Sequence, residues 1–223
     1  LDGCLIAYSG GVDSAVVAKA ACLALGERAV AITGVSASLA AGELEAAREV
    51  AAFIGIRHET LATAEFSRPA YVQNGPDRCY HCKRIMMSAI KKAALADGYD
   101  AIIDGTNASD SDDDRPGVKA LNELAVESPL NFCGITKDMV RKLSKDAGLD
   151  TWDLPSNSCL ATRVEQGRPI TEGDLKRVDR AEALFRSKGL SDFRIHINRD
   201  GDAMLQVTAK DREKAVSALS AIG

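Results

Sequence analysis

The sequence predicts an α/β fold: a doubly wound, mostly parallel sheet with a small C-terminal α+β domain. Three observations carry this reading. From residue 1 to about 150, short apolar runs alternate with helical patterns. The first run leads at once into "SGGVDS", residues 9–14, and then into an alanine-rich segment. Past "WDLPSNSC" the alternation gives way to a helix, two alternating runs around Asp200-Gly201 and a last helix. The expected division is residues 1–155 and 156–223.

In order, strands are expected at 4–8, 29–34, 57–62 and 100–104, with helices at 14–25, 41–55 and 80–97 between them. "TKDMVRKLSKDAGL" reads as an amphipathic helix over 136–149, with Thr136 as its cap and Gly148 at its end. "ASDSDDDRPG", 108–117, reads as an exposed acidic loop in which Asp110 and Asp112 to Asp114 are solvated rather than metal-binding. The C-terminal unit is expected to comprise a helix over 172–188 between Thr171 and Gly189, a hairpin through "FRIHINRDGDAMLQV", and a helix over 211–221. In a sheet of this kind ligands sit at the carboxyl ends of the strands. "SGGVDS", the "VSAS" containing Ser36, and "DGTN" (Asp104, Gly105, Thr106, Asn107) would open there on one crevice.

Composition narrows the function. The chain has 223 residues, 46% hydrophobic, with formal charge −4 and a pI near 5.5. A protein that wraps nucleic acid presents a basic face, so a large RNA partner is disfavoured. The longest apolar runs are interrupted or too short to cross ~30 Å of hydrocarbon, so the expectation is a cytoplasmic protein without a membrane partner. Cysteines at 4, 22, 79, 82, 133 and 159 are too few and too uneven for a secreted disulfide scaffold, which favours reduced thiols. Cys4 in a strand and Cys22 in a helix read as core packing.

The first loop is built for an anion. Gly10 and Gly11 let the backbone bend sharply and bring its N–H groups close to a ligand. Ser9, Val12, Asp13 and Ser14 complete the turn where the next helix begins, and the helix dipole favours a phosphate there. The loop is neither a Walker A sequence nor G-x-G-x-x-G. Arg115, Lys137 and Arg163 are candidates to neutralise pyrophosphate or a substrate phosphate. Arg194 and His196, two apart on a strand, share a face that suits a nucleotide phosphate or an oligomer contact.

"RCYHCK" supplies Cys79 and Cys82, and "SNSCLATR" supplies Cys159. A lone C-x-x-C is compatible with a redox pair, half a zinc site or part of a cluster site. Structural zinc wants four ligands, and His81, between the two cysteines, is poorly placed to join them, which leaves Cys133 as the remaining candidate. Three thiolates and an open position suit a [4Fe–4S] cluster whose fourth iron holds an exogenous ligand such as hydrosulfide.

S-G-G-V-D-S resembles the pyrophosphate-binding (PP) loop of the ATP pyrophosphatase superfamily, of adenine nucleotide alpha hydrolase-like fold. The order "AYSGGVDS", "VSAS", "ELEAAREVA", "RCYHCK", "DGTNASD", "DRPG", "SPL", "GITK", "WDLPSNSCLATR" is similar, over nearly the whole chain, to the LarE-type sulfur transferases of nickel-pincer nucleotide biosynthesis. That resemblance implies ATP across Ser9 to Ser14, with Ser36 and Asp104 to Asn107 as further nucleotide contacts and Asp13 helping to hold Mg²⁺. It implies adenylylation of a carboxylate of pyridinium-3,5-biscarboxylic acid mononucleotide and replacement of its oxygen by sulfur, with Cys159 catalytic. Some members sacrifice the sulfur of the cysteine matching Cys159; those with an added C-x-x-C bind a [4Fe–4S] cluster, here through Cys79, Cys82 and Cys159. A sulfide donor and a homo-oligomer are implied as partners. Gln206 stands where the family commonly has glutamate, and members usually continue into a strand and a glycine-serine tail beyond the position of Gly223. The competing readings are a tRNA thiolase, an ammonia-using amide synthetase and a nucleotide-sensing module without catalysis.

Overall fold

A computed structural model describes residues 2–110, 116–155 and 158–220. Arg115 and Asp112 to Asp114 lie outside the described residues, and the expected division after residue 155 abuts residues 156–157, also outside them.

Among the described residues, β1 (Cys4–Ala7), β2 (Ala29–Val35), β3 (Arg57–Ala62) and β4 (Ala101–Ile103) form one parallel sheet in the order β3-β2-β1-β4. Helices cover both faces: α1 (Val12–Leu25) and α2 (Glu43–Ile54) on one, α4 (Arg78–Asp97), which follows the short α3 (Pro69–Val72), on the other. The two-residue period of the strands sorts their side chains between two cores. Cys4, Ile6, Ala29, Ala31 and Ile103 pack with Ala15, Ala18, Ala47 and Ile54, whereas Leu5, Val30, Ile32 and Ile102 pack with Met87, Ile90 and Ala94. Small alanines on the first face let α1 and α2 approach the sheet closely.

The expected strands and long helices match within two residues, except that the helix expected over 136–149 ends at Asp146. Segments α3, α5 (Pro116–Glu123) and α6 (Pro129–Phe132) are helical where no helix was expected. Each of the three begins with proline at its first position, where the missing N–H has no intrahelical partner to lose. Helix α7 (Lys137–Asp146) follows Thr136, but no Thr136 hydroxyl bond caps it; the Lys137 N–H donates instead to Ser109 Oγ at 3.0 Å.

The C-terminal unit contains α8 (Glu172–Ser187), the antiparallel pair β5 (Phe193–Ile197) and β6 (Ala203–Val207), and α9 (Arg212–Ser220). Thr171 Oγ1 caps α8, accepting from the Asp174 N–H at 3.0 Å. Its core, built on Leu175, Val178, Phe185, Phe193 and Ile195, also takes in Ala40 and Tyr71 from the N-terminal half. Asn74, fully buried with φ 55°, ties the halves together: its side-chain amide donates to the carbonyls of Val164, Glu165 and Arg168 at 3.2, 3.0 and 3.1 Å. Arg78 Nη1 donates to Asn74 Oδ1 at 2.7 Å and to the Ala161 carbonyl at 3.0 Å.

Candidate functional site

β1 and β4 are neighbours, yet the chain leaves β1 for β2 on its other side, so their carboxyl ends form the switch point at which open α/β sheets bind ligands. A cavity of about 360 Å³ opens there, lined by Ser9, Gly11, Asp13 and Ser14 from the first loop, by Asp104, Gly105 and Thr106 after β4, and by Asp110. Ala7, Tyr8, Ile32, Thr33, Gly34, Leu39, Lys83 and Met86 complete its wall.

The first loop is held by its own hydroxyls. The Ser9 N–H donates to Ser14 Oγ at 3.2 Å, the Gly11 N–H to Ser9 Oγ at 3.3 Å, and Ser14 Oγ to the Gly11 carbonyl at 3.1 Å. No side chain caps α1 at Gly11, and the first bond closing the helix is from the Ala15 N–H to the Gly11 carbonyl at 2.9 Å. The N–H groups of Val12, Asp13 and Ser14 therefore have no intrahelical acceptor, the arrangement that receives a phosphate. Two glycines are sterically required around them. A Cβ on Gly10, which has φ +76°, would stand 2.7 Å from Ala47 Cα; one on Gly105 would stand 2.8 Å from the Ser14 nitrogen.

Charge is concentrated at this end of the cavity. Asp13 Oδ2 pairs with Lys137 Nζ at 2.5 Å and its Oδ1 accepts from Asn107 Nδ2 at 3.0 Å. Asn107 also donates to Asp110 Oδ2 at 2.6 Å, which draws Asp110 into the site rather than into a solvated loop. Asp104, 2% exposed, accepts from the Thr106 N–H at 3.1 Å, Thr106 Oγ1 at 2.7 Å and Ser128 Oγ at 2.7 Å, with Lys83 Nζ at 3.5 Å.

The cysteines stand on an adjoining wall. Cys79 and Cys82, three apart, share a face of α4, and Cys82 packs against the core that contains Leu160 and Ala161. The Leu160 N–H donates to the Ser38 carbonyl at 2.9 Å, which brings the residue after Cys159 beside Leu39 of the cavity wall. Burial pushes the Cys82 thiol up to about 12, with Cys159, Glu65 and Cys79 near enough to add to the shift and Lys83 opposing it. Desolvation by the surrounding protein likewise raises Cys159, although the residue is exposed, against the pull of the Arg78 guanidinium.

No known family profile matches the chain. It is similar to the uncharacterized Synechocystis protein slr1717, 47% identical over 195 residues, which is 87% of this chain and 73% of the relative. It is also similar to the pyridinium-3,5-bisthiocarboxylic acid mononucleotide synthase of Lactiplantibacillus plantarum, 29% identical over 87% of this chain and 71% of that one. The tRNA-specific 2-thiouridylase MnmA of Treponema denticola is 29% identical over 65% of this chain and 50% of its own length. These similarities support the LarE/PP-loop family.

Around this cavity the sequence-derived candidates separate. Ser9, Gly11, Asp13, Ser14, Asp104, Gly105 and Thr106 line the cavity, with Lys137 and Asn107 bonded to its edge through Asp13. Gly10 and Val12 support the turn from behind, Val12 buried in the core. Ser36 lies off the wall, its Oγ accepting from the Ser38 N–H at 3.2 Å. Arg163 is corrected: at 1% exposed it pairs with Glu182 through Nε at 2.9 Å and donates to Ser158, so its guanidinium belongs to the interior of the C-terminal unit. Arg194 on β5 bonds the Phe193 carbonyl at 2.7 Å and is not among the lining residues.

Sequence reasoning missed Lys83 and Asp110 as wall residues. Lys83 was legible as the fourth position after Cys79 on one helix, but which cavity that face meets is a tertiary fact. For iron, the soft thiolates of Cys79, Cys82 and Cys159 are the fitting donor chemistry. No three His, Cys, Asp or Glu among the described residues converge as ligands of a single ion. No helix among those residues is long and apolar enough to cross a membrane.

Proposed function

We propose that the chain is an ATP-dependent, AMP- and pyrophosphate-forming sulfur transferase acting on a carboxylate of pyridinium-3,5-biscarboxylic acid mononucleotide. One observation carries the reading: the PP-loop cavity and the cysteine wall adjoin, joined by the Leu160–Ser38 bond and by the adjacency of Cys82 to the cavity-lining Lys83. The similarity to the Lactiplantibacillus synthase supports the substrate class.

In this reading ATP lies with its β- and γ-phosphates on the free N–H groups of Val12, Asp13 and Ser14. Asp13 would hold Mg²⁺, which would supply charge neutralisation to the phosphates, and Asp13's present partner Lys137 would then turn to the pyrophosphate. The substrate carboxylate attacks the α-phosphorus, the bond to the bridging oxygen breaks, and pyrophosphate leaves. Sulfur then attacks the acyl carbon and AMP departs with the original carboxylate oxygen. The preorganised N–H groups and cations are the largest contributors, with a single donor worth about a hundredfold in rate. Cys79, Cys82 and Cys159 would hold a [4Fe–4S] cluster, which when bound supplies sulfide at an iron without a protein ligand. The cytoplasmic setting, the sulfide donor and the homo-oligomer are part of the same proposal.

The test is pyrophosphate release on addition of the pyridinium dicarboxylate. Wild type and Cys159→Ser should both release it, and only wild type should form thiocarboxylate; thiocarboxylate from the serine variant, or no pyrophosphate from wild type, overturns the reading. Iron and sulfide analysis after anaerobic purification tests the cluster. The Treponema relative favours tRNA as a competing substrate, against which the formal charge of −4 counts. Retention of labelled tRNA on a filter separates the two.

A further inference from the structure

We infer that Lys83 is the residue that grips the α-phosphate, so that one turn of α4 serves both the nucleotide and the thiols. The inference rests on the nucleotide reading of the cavity and adds a contact that the PP-loop itself does not supply. Among the described residues lining the cavity, Lys83 is the lone lysine or arginine, facing Asp13, Asp104 and Asp110. Asp104 does not depend on it. Both of its oxygens already accept from Thr106 and Ser128 at 2.7 to 3.1 Å, and Lys83 Nζ stands outside them at 3.5 Å. The ammonium can therefore move onto a ligand without leaving a buried carboxylate unpartnered, whereas the shorter Lys137–Asp13 pair must break for Lys137 to do so.

Its position along the cavity selects the phosphate. Ile32, Thr33, Gly34, Leu39 and Met86 make the less polar wall, the side that suits a purine ring. The open N–H groups of α1 lie at the other end and take the terminal phosphates. Lys83 is one turn before Met86 on α4 and is paired to the residue that starts the β4 loop beside α1, which sets its ammonium between base and pyrophosphate. The group that lies there in ATP, and remains there in the acyl-adenylate, is the α-phosphate. Cys82 immediately precedes Lys83, and its sulfur faces the other core.

The test measures AMP and adenosine binding by calorimetry, since the two ligands differ only in that phosphate. Wild type should bind AMP about tenfold or more tightly than adenosine, as expected for a charge-assisted contact. Lys83→Met should abolish most of that preference while leaving adenosine affinity within about twofold, and Lys83→Arg should keep part of it. An unchanged AMP preference in Lys83→Met, or equal losses for both ligands, overturns the inference. Failure of wild type to bind either ligand would instead remove the nucleotide reading on which it stands. Wild type that shows the AMP preference but releases no pyrophosphate would touch only the proposed reaction.

Discussion

Replacing Gly105 by alanine is the sharpest probe of how the site is assembled. The added Cβ would lie 2.8 Å from the Ser14 nitrogen and 3.1 Å from both Asp13 C and Ser14 Cα. All three are backbone atoms, so no rotamer change relieves the contact. A comfortable separation is about 3.5 Å, and the loop after β4 must therefore recede from α1 by roughly 0.7 Å. Overpacking of this kind costs about 1–3 kcal/mol. The same recession carries Asp104 and Thr106 away from the phosphate-facing end of α1, and about 1.4 kcal/mol of lost contact there is a tenfold loss of ATP affinity. Urea unfolding and ATP titration measure the two effects. The matched control is Gly117→Ala, where the nearest atom would be Lys83 Cγ at an ordinary 3.6 Å in α5. There the change should stabilise by about 0.5 kcal/mol through the unfolded chain. Gly105→Ala with wild-type midpoint and affinity would refute the argument that this glycine is kept for close approach.

Four further outcomes follow from the same geometry. Glu182→Ala should destabilise by about 3–5 kcal/mol in urea, because it strands the buried Arg163 guanidinium as well as the Ile195 N–H; a loss comparable to a surface pair would contradict the burial. Asp13→Asn should reduce pyrophosphate release by about a hundredfold or more with stability changed by no more than about 1 kcal/mol, since the Lys137 pair is partly solvated. At about pH 8, iodoacetamide should modify the exposed Cys79 and Cys133 before Cys82, whose thiol is pushed up to about 12, and mass spectrometry reporting the reverse order would sink that assignment. Burial, and then Arg48, hold the pKa of His58 below its usual 6.5. Its contribution to stability is complete above 6.5 and lost as pH falls through the lower folded value, because the unfolded ring binds the proton first. Thermal unfolding of His58→Asn should accordingly show a flatter acid limb than wild type.

The sheet was legible because its strands are short apolar runs separated by helical patterns, and because the glycine pair, Thr171 and Asp200-Gly201 mark turns by local chemistry alone. The short helices α3, α5 and α6 escaped because four to eight residues carry too little periodicity; only their leading prolines announce them. The cradle residues were legible from type and position, since small and polar residues after two adjacent parallel strands have one place to meet. Arg163 was not. Its partner Glu182 occupies a core position of α8 between Val178 and Phe185, and a carboxylate inside an apolar stripe is the signal that a buried cation must answer it. Lys83 and Asp110 depend on which face of one helix meets which loop, a matter decided by packing across the sheet.

Asn74 and Arg78 form a clasp between the two halves. Their bonds to the carbonyls of Ala161, Val164, Glu165 and Arg168 fasten the two halves without using a single sulfur atom. Arg78 also reaches the thiols, its Nη2 donating to Cys79 Sγ at 3.6 Å, so the clasp and the sulfur chemistry share one guanidinium. Loss of the Cys79 sulfur would remove one Arg78 contact and leave its bonds to Asn74 Oδ1 and the Ala161 carbonyl in place.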